Sequence, residues 1–295
     1  MNVVAWLLEG DPAVRWQVKR DLLGGDGADE ERARVGREGV GARILARQGA
    51  DGAWQREGEP DWLPTLFAMQ MLRATGADPA APEVAAAVER LARGFRWHEE
   101  LGGRPFFEGE TEPCINGGAL ALGGYFGRPD AALAQRLIGE QLGDGGWNCE
   151  APQQSSRGSY HSTICVLEGL LEYERASGAS TAGARRRGEA YLLERGMFRR
   201  RSTGEPADPR FLELAFPTRY CYDVLRGLDY LRAAGAAPDE RAADAIRAIE
   251  ARRRSDGRWS LDAAREDVWD GDERLGEPSR WITLRALRVL RWYGI

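Results

Sequence analysis

One short turn motif recurs along this 295-residue chain. The segments Gln48-Gly-Ala-Asp-Gly-Ala-Trp54 and Gln141-Leu-Gly-Asp-Gly-Gly-Trp147 both read Q-x-x-x-G-x-W, and a third copy at residues 253–259 has Arg in place of Gln. A frame this specific marks an internal repeat, and a repeat has to be recognised before individual elements are assigned. Because each unit of a repeat buries its apolar face against its neighbours, the motif constrains the fold of the whole chain.

Apolar and amphipathic helices are predicted to alternate between these turns. The apolar helices are predicted at 62–75, 113–126, 160–176, 217–234 and 279–293, the amphipathic ones at 82–96, 130–142, 181–197 and 239–254, and a further pair at 12–23 and 28–47. A glycine follows each apolar helix, where a left-handed C-cap favours this residue. Helices that are apolar on most of their surface pack inside, and helices with a charged face pack outside. Strand signals are absent, so the pattern predicts an all-α fold, an α/α toroid (barrel) of about six inner/outer helical pairs that forms one domain over residues 1–295.

Composition narrows the class of protein. A hydrophobic content of 43% and ten Trp are ample for a large core, and the net charge of −5 argues against nucleic-acid or anionic-membrane partners. The N-terminus has no signal-peptide pattern, and no apolar run approaches the ~20 residues that span a bilayer. Four cysteines at wide, irregular spacing indicate reduced thiols. We therefore expect a cytoplasmic protein with no transmembrane segment and no obligate protein partner.

The Q-x-x-x-G-x-W turns, each followed by an inner helix, resemble the QW motif of the squalene cyclase repeat. The chain is thus similar, over essentially its whole length, to the α/α-toroid superfamily of squalene/terpenoid cyclases and protein prenyltransferase β-subunits. The resemblance implies a biosynthetic enzyme, either a cyclase (isomerase- or lyase-like) or a transferase. Its substrate would be a hydrophobic small molecule, isoprenoid-like or a secondary-metabolite intermediate, bound in the central cavity. The turn Gln and Trp are interpreted as structural, with Trp packing against a neighbouring repeat and Gln closing a helix end.

A metal site follows from the prenyltransferase branch of this resemblance. In those β-subunits zinc is held by Asp-x-Cys at the start of one inner helix and by the His of a Tyr-His-Thr at the start of the next. Here Glu112-Pro-Cys114 opens one predicted inner helix and Tyr160-His161-Ser162 opens the next. The resemblance therefore implies Zn²⁺ as a cofactor, with Glu112, Cys114 and His161 as ligands and either Cys221 or Cys149 as an additional one, because acid, thiolate and imidazole all bind zinc.

One observation weighs against a direct transfer of prenyltransferase chemistry. The basic residues that grip a prenyl diphosphate are missing upstream of Glu112, where the chain reads Phe106-Phe-Glu108-Gly-Glu110 and its carboxylates would repel a diphosphate. The alternative for the metal ligands is ordinary packing, with Cys114 and Cys221 as small buried residues and His161 capping a helix or bonding a carboxylate.

A metal-free acid is the second candidate chemistry. Class II cyclases of the superfamily protonate their substrate with a D-x-D-D motif, and the nearest match is Asp270-Gly-Asp272-Glu273, which is more typical of a solvated acidic loop. Asp223 and Asp61 stand near predicted inner-helix starts and could donate a proton if burial raises their pKa values. Tyr160, at the start of the predicted inner helix 160–176, is a further catalytic candidate.

Aromatic residues near the predicted inner helices are candidates for lining a substrate pocket or for ordinary packing. With one Arg, the set is Trp62, Phe107, Tyr125, Tyr220, Tyr222, Trp281 and Arg280. Three functions stay open at this point: a metal-assisted enzyme, a metal-free acid-initiated cyclase or isomerase, and a non-catalytic small-molecule-binding toroid.

Overall fold

The computed structural model describes residues 2–264 and 273–295, which form helices joined by loops with isolated β-bridges. The predicted all-α fold class is confirmed. Within these ranges there are thirteen α-helices: α1 Val3–Leu8, α2 Pro12–Leu22, α3 Ala28–Arg32, α4 Gly39–Ala46, α5 Trp62–Thr75, α6 Pro82–Gly94, α7 Pro113–Tyr125, α8 Ala131–Gly139, α9 Tyr160–Ser177, α10 Ala182–Leu193, α11 Val224–Ala233, α12 Ala243–Ala251 and α13 Arg280–Tyr293.

The chain divides into two compact units. Unit 1 consists of Met1–Ala42 and Leu192–Ile295, and unit 2 is the continuous segment Arg43–Tyr191. The single domain expected over residues 1–295 stays a prediction.

In unit 1 the first helices of the chain pack against the last one. Trp6 and Leu7 of α1 form an apolar cluster with Val14 and Val18 of α2 and Leu284 of α13. The third copy of the turn motif lies against α1. Gly257 is so close to Val3 that a methyl group added to it would lie 2.9 Å from Val3 Cγ2.

Three predicted helices differ from the observed ones at a start or in the interior. The one expected at 239–254 begins as α12 only at Ala243. The helix expected at 217–234 begins only at Val224, because the Asp223 side chain caps it by accepting the Arg226 N–H at 2.7 Å. The segment expected as one helix at 28–47 is broken into α3 and α4. The break ends at Gly39, whose φ is +64°, and the next N–H, that of Val40, donates to the Asp11 carboxylate.

All three copies of the turn motif make the same hydrogen bonds through their Trp. Each Trp is fully buried, and its indole N–H donates to a carbonyl ten residues earlier, at the end of the preceding helix: Trp54 to Ile44, Trp147 to Leu137 and Trp259 to Ile249. Each Trp backbone N–H donates to the hydroxyl of the fourth residue of the following inner helix: Thr65, Thr163 and Thr283 respectively. The motif therefore ties the end of one helix to the start of the next.

The Gln of the motif links successive repeats in unit 2. The Gln48 side-chain amide donates to the Gly52 carbonyl at 3.0 Å and to the Ala87 carbonyl of α6 at 2.8 Å. Gln141 repeats this geometry with Gly145 and with Ala184 of α10, both at 2.9 Å. These bonds close each turn and hold it against the next amphipathic helix along the chain.

Candidate functional site

Helices α7 and α9 of unit 2 touch along their backbones because glycines line the contact. A methyl group on Gly117 would lie 2.4 Å from the carbonyl carbon of Cys165, and one on Gly124 would lie 2.6 Å from that of Glu172. On α9, a methyl group on Gly169 would meet the Gly117 carbonyl oxygen at 2.5 Å. Only a residue without a side chain fits at such separations. The close contact brings Cys114, in the first turn of α7, next to the residues that precede and open α9.

Three ligand-type side chains converge there. The Sγ atom of Cys114 lies 2.8 Å from Sγ of Cys149 and 3.6 Å from Oε2 of Glu112. The ligand atoms of these three residues all lie within 4.8 Å of one another, and we call the group the thiol–carboxylate cluster. Glu112 is exposed and the two cysteines are half-buried, so the cluster is reachable from solvent.

The start of α9 holds Cys149 in place. The Cys149 backbone N–H donates to Oγ of Ser162 at 3.3 Å, and the same hydroxyl lies 3.3 Å from Cys149 Sγ. The loop itself is anchored by the Ser159 N–H, which donates to the Trp147 carbonyl at 2.7 Å. The turn motif thus fixes the loop that carries the second sulfur.

Two of the predicted ligands, His161 and Cys221, are not members of this cluster. Among the described residues, the group with all ligand atoms within 4.8 Å does not include His161, although His161 neighbours Ser162 in the first turn of α9. Cys221 belongs to unit 1 and is buried. A ligand role for His161 or Cys221 therefore stays a prediction, and Cys149, expected only as an additional ligand, is the residue that meets Cys114.

The donor set of the cluster suits zinc. Two thiolates and a carboxylate are ligands that Zn²⁺ accepts, with Zn–S distances of ~2.3 Å and Zn–O distances of ~2.0–2.2 Å. Two sulfurs on a tetrahedral zinc stand roughly 3.8 Å apart, so the Cys114 and Cys149 sulfurs would have to separate by about 1 Å. Small rotations of two half-buried side chains supply such a movement.

Hydrogen bonding makes the two thiols unequal. The Cys114 S–H donates to Cys149 Sγ, and the Ser162 hydroxyl lies 3.3 Å from the same sulfur, so the pKa of Cys149 is lowered even though burial opposes the charge. The bond to Cys149 holds the proton on Cys114, and together with burial it raises the pKa of Cys114. Of the two thiols, Cys149 is therefore the one that loses its proton more readily.

A buried carboxyl beside the cluster fixes the start of α7. Glu110 is almost fully buried, which raises its pKa, while Oε1 accepts the Glu112 N–H at 2.7 Å and Oε2 accepts the Thr111 hydroxyl at 2.8 Å. These bonds satisfy donors that precede the helix and hold the backbone of Glu112.

Unit 1 contains a different kind of candidate, the buried acid Asp223. Only 2% of this residue is exposed, and burial raises its pKa more than the nearby guanidinium groups of Arg285 and Arg226 lower it. Its Oδ1 caps α11, whereas the buried Oδ2 has no hydrogen-bond partner among residues 2–264 and 273–295. A buried polar atom without a protein partner is uncommon and points to a ligand or a water.

Asp61 has a partner that the sequence did not suggest. Its Oδ1 lies 2.7 Å from Nε2 of His98, and both side chains are more than a third exposed. Tyr160, the other catalytic candidate of unit 2, is buried, and its ring packs edge-on against Tyr191 at a centroid distance of 5.7 Å.

The predicted aromatic candidates of unit 2 make packing contacts. Trp62 is tilted against Trp97 at 6.0 Å, and the Tyr125 hydroxyl donates to the Ala77 carbonyl. Phe107 is buried against Phe106. Their contact with a substrate stays a prediction.

The candidates of unit 1 are similarly engaged. The Tyr222 hydroxyl donates to the Met197 carbonyl, and Trp281 stacks on Phe216 at 4.3 Å. The Arg280 guanidinium lies over the Trp6 ring at 4.6 Å, which makes Arg280 a packing partner of α1, while Tyr220 is 42% exposed.

The acidic D-x-D-D-like segment is described only at its end. Asp270 and Asp272 lie outside the described residues. Glu273 accepts the Arg280 N–H at 2.6 Å and the Ser279 hydroxyl, so it caps α13, and burial raises its pKa.

Within the described ranges, no helix is both long and apolar enough to cross a membrane. No protein-family model matches the chain, and no curated protein matches it. Among solved structures, the chain is similar to a protein from Actinoplanes, with 17% identity, a TM-score of 0.49, and coverage of 97% of this chain and 89% of that one. It is also similar to the type II terpene cyclase MstE from Scytonema in its apo form, with 16% identity, a TM-score of 0.47, and coverage of 98% and 86%.

Proposed function

We propose that this chain is an enzyme that binds zinc through Glu112, Cys114 and Cys149 and acts on a hydrophobic small molecule. The observation that carries the proposal is the convergence of two thiols and a carboxylate, drawn from two separate segments, at the start of α7. Three protein ligands are the number found in catalytic zinc sites, which keep a fourth position for substrate or water.

Each side chain around the cluster has a distinct role in this proposal. Cys149 supplies the sulfur that loses its proton more readily, because Cys114 donates to it and the Ser162 hydroxyl lies 3.3 Å away, and both contacts lower its pKa. Glu112 is the exposed, adaptable ligand, and Glu110 holds its backbone. A zinc ion bound here would polarise a substrate oxygen or lower the pKa of a bound thiol or water.

The substrate class in this proposal is hydrophobic, isoprenoid-like or a secondary-metabolite intermediate. It is supported by the resemblance carried by the Q-x-x-x-G-x-W turns. A diphosphate leaving group is disfavoured, because the segment before α7 offers Glu108 and Glu110 where a diphosphate would need cations. We therefore favour a cyclase- or isomerase-type reaction, or transfer from an uncharged donor.

Elemental analysis of the reduced protein after reconstitution with Zn²⁺ tests the metal. We expect one zinc per chain in the wild type and in Cys165→Ser, since Cys165 is buried outside the cluster. Cys149→Ser and Cys114→Ser should each lose stoichiometric zinc at the same free concentration. Absence of zinc from the wild type, or its full retention in Cys149→Ser, would contradict the proposal.

A second candidate is acid-initiated cyclisation or isomerisation without a metal, favoured by the buried, unpartnered Oδ2 of Asp223. A carboxyl that burial keeps protonated can act as a general acid. Asp223→Asn keeps an N-cap side chain, so it removes the acid without removing the cap. Turnover that Asp223→Asn abolishes and a chelator leaves intact would favour this candidate over zinc, and tight binding of a hydrophobic ligand without turnover would contradict both.

A further inference from the structure

We propose that Cys114 and Cys149 are a reversible thiol–disulfide modification site, which takes small-molecule disulfides as its oxidant. The two sulfurs lie 2.8 Å apart although the residues are 35 positions apart in the sequence. Both are free thiols and both are half-buried, so the pair is preformed and accessible. The disulfide itself requires no metal, and only its effect on zinc rests on the proposed function.

The pair is held together by rigid elements. Cys114 is on α7, which glycine contacts bind tightly to α9. Cys149 is fixed to α9 through two contacts with the Ser162 hydroxyl. Because one helix pair positions both sulfurs, little conformational freedom is lost when they join, and the intramolecular step is favoured over attack by a second external thiol.

The chemistry balances as two thiol–disulfide exchanges. One cysteine, as its thiolate, attacks a sulfur of the small disulfide, forms a mixed disulfide and releases one small thiolate. The second cysteine, after losing its proton to solvent, attacks the protein sulfur of that mixed disulfide and releases the other small thiolate. Two protein thiols are oxidised and one small disulfide is reduced to two thiols.

The other two cysteines provide internal controls. Cys165 and Cys221 are 2% and 8% exposed, so they should remain reduced under the same treatment. If zinc is held as proposed, oxidation removes two of its three ligands, and the metal should be released when the disulfide forms.

Peptide mapping tests the site, because trypsin separates all four cysteines. Cleavage after Arg, except before Pro, leaves Cys114 in 97–136, Cys149 in 137–157, Cys165 in 158–175 and Cys221 in 220–226. The full-length protein is reduced, exposed to oxidised glutathione, alkylated, digested without reductant and analysed by mass spectrometry.

We expect 97–136 joined to 137–157 in nearly every chain, with the linkage lost after dithiothreitol. In Cys149→Ser the reaction should stop at one glutathione on Cys114, whereas Cys165→Ser should behave as the wild type. No linkage, a stable glutathione adduct in the wild type, or linkage to 158–175 or 220–226 would overturn the proposal. If the reduced protein binds zinc but forms no disulfide, the disulfide proposal is overturned and the zinc proposal stands. If the disulfide forms in a protein that never binds zinc, the zinc proposal is overturned and the disulfide proposal stands.

Discussion

Replacing Gly117 by Ala should push α7 away from α9 and destabilise the protein. The added methyl group would lie 2.4 Å from the Cys165 carbonyl carbon and 2.6 Å from the Val166 nitrogen. Carbon contacts are most favourable at ~3.5–4.0 Å, so the helices must separate by about 1 Å. The obstructing atoms are backbone, which no rotamer change can move aside.

The expected cost follows from two opposing effects. Overpacking a tight core costs ~1–3 kcal/mol, and we take the upper end because backbone meets backbone. Alanine returns up to ~1 kcal/mol of helix propensity. The net loss is about 2 kcal/mol of unfolding free energy, which lowers a urea midpoint by roughly 0.7 M at a slope of ~3 kcal/mol per molar.

Gly139→Ala is the matched control. Gly139 is the last residue of α8, is exposed, and has no described heavy atom within 4 Å of a built methyl group. The same chemical change there should leave the free energy of unfolding unchanged or raise it by up to ~0.5 kcal/mol, so the urea midpoint should not fall. Urea unfolding followed by far-UV circular dichroism compares the two variants. A Gly117→Ala protein as stable as Gly139→Ala would refute the close backbone contact and the reason given for the meeting of the two sulfurs.

Three further predictions concern buried polar groups. Thr163→Val should lower the free energy of unfolding in urea by ~1–3 kcal/mol, because the buried backbone N–H of Trp147 loses its acceptor. Asp229→Asn should cost up to ~3–5 kcal/mol at pH 7, because the buried Arg288 loses its closer carboxylate and keeps only that of Asp21. Burial raises the pKa of Asp229, but Arg288 and its neighbours more than offset this and hold it below its usual range, so the wild type should lose that advantage as pH falls below ~4. Asp223 behaves in the opposite way, because burial raises its pKa and its ionisation therefore disfavours the fold. Asp223→Asn should be more stable than the wild type at pH 7 in thermal unfolding, and the difference should shrink as pH falls and vanish below ~3, where the carboxyl is protonated in both folded and unfolded states.

Local sequence signals were sufficient for most helices. Helices α5, α9 and α13 begin within one residue of the predicted positions, because a turn motif or loop ends there and an apolar run starts. The hydroxyl that accepts the backbone N–H of each motif Trp was also predictable, since Thr is the fourth residue of α5, α9 and α13. Helix α11 was predicted seven residues too early, because the apolar residues after Pro217 pack in a loop that ends at the Asp223 cap.

The pairing of cysteines at the candidate site could not be predicted from the periodicity of apolar residues, which reports on single helices and not on which helices meet. Cys114 and Cys149 meet because α7 and α9 are in backbone contact, which is a tertiary pairing. The signal for that contact was present as Gly117 and Gly124, which are seven residues apart and so lie on nearly the same helix face, about two turns from each other. These glycines indicate that the backbone of another segment approaches α7, but they do not identify that segment as α9, the helix that Cys149 precedes.

The zinc absorption edge of the reconstituted, reduced protein tests the central claim most directly. X-ray absorption fine structure should show two sulfur neighbours at ~2.3 Å together with oxygen or nitrogen at ~2.0–2.2 Å, and one sulfur neighbour in a Cys149→Ser protein that is forced to bind at high zinc. A zinc shell of oxygen and nitrogen alone, or the same sulfur number in wild type and Cys149→Ser, would contradict a metal centre built from Glu112, Cys114 and Cys149.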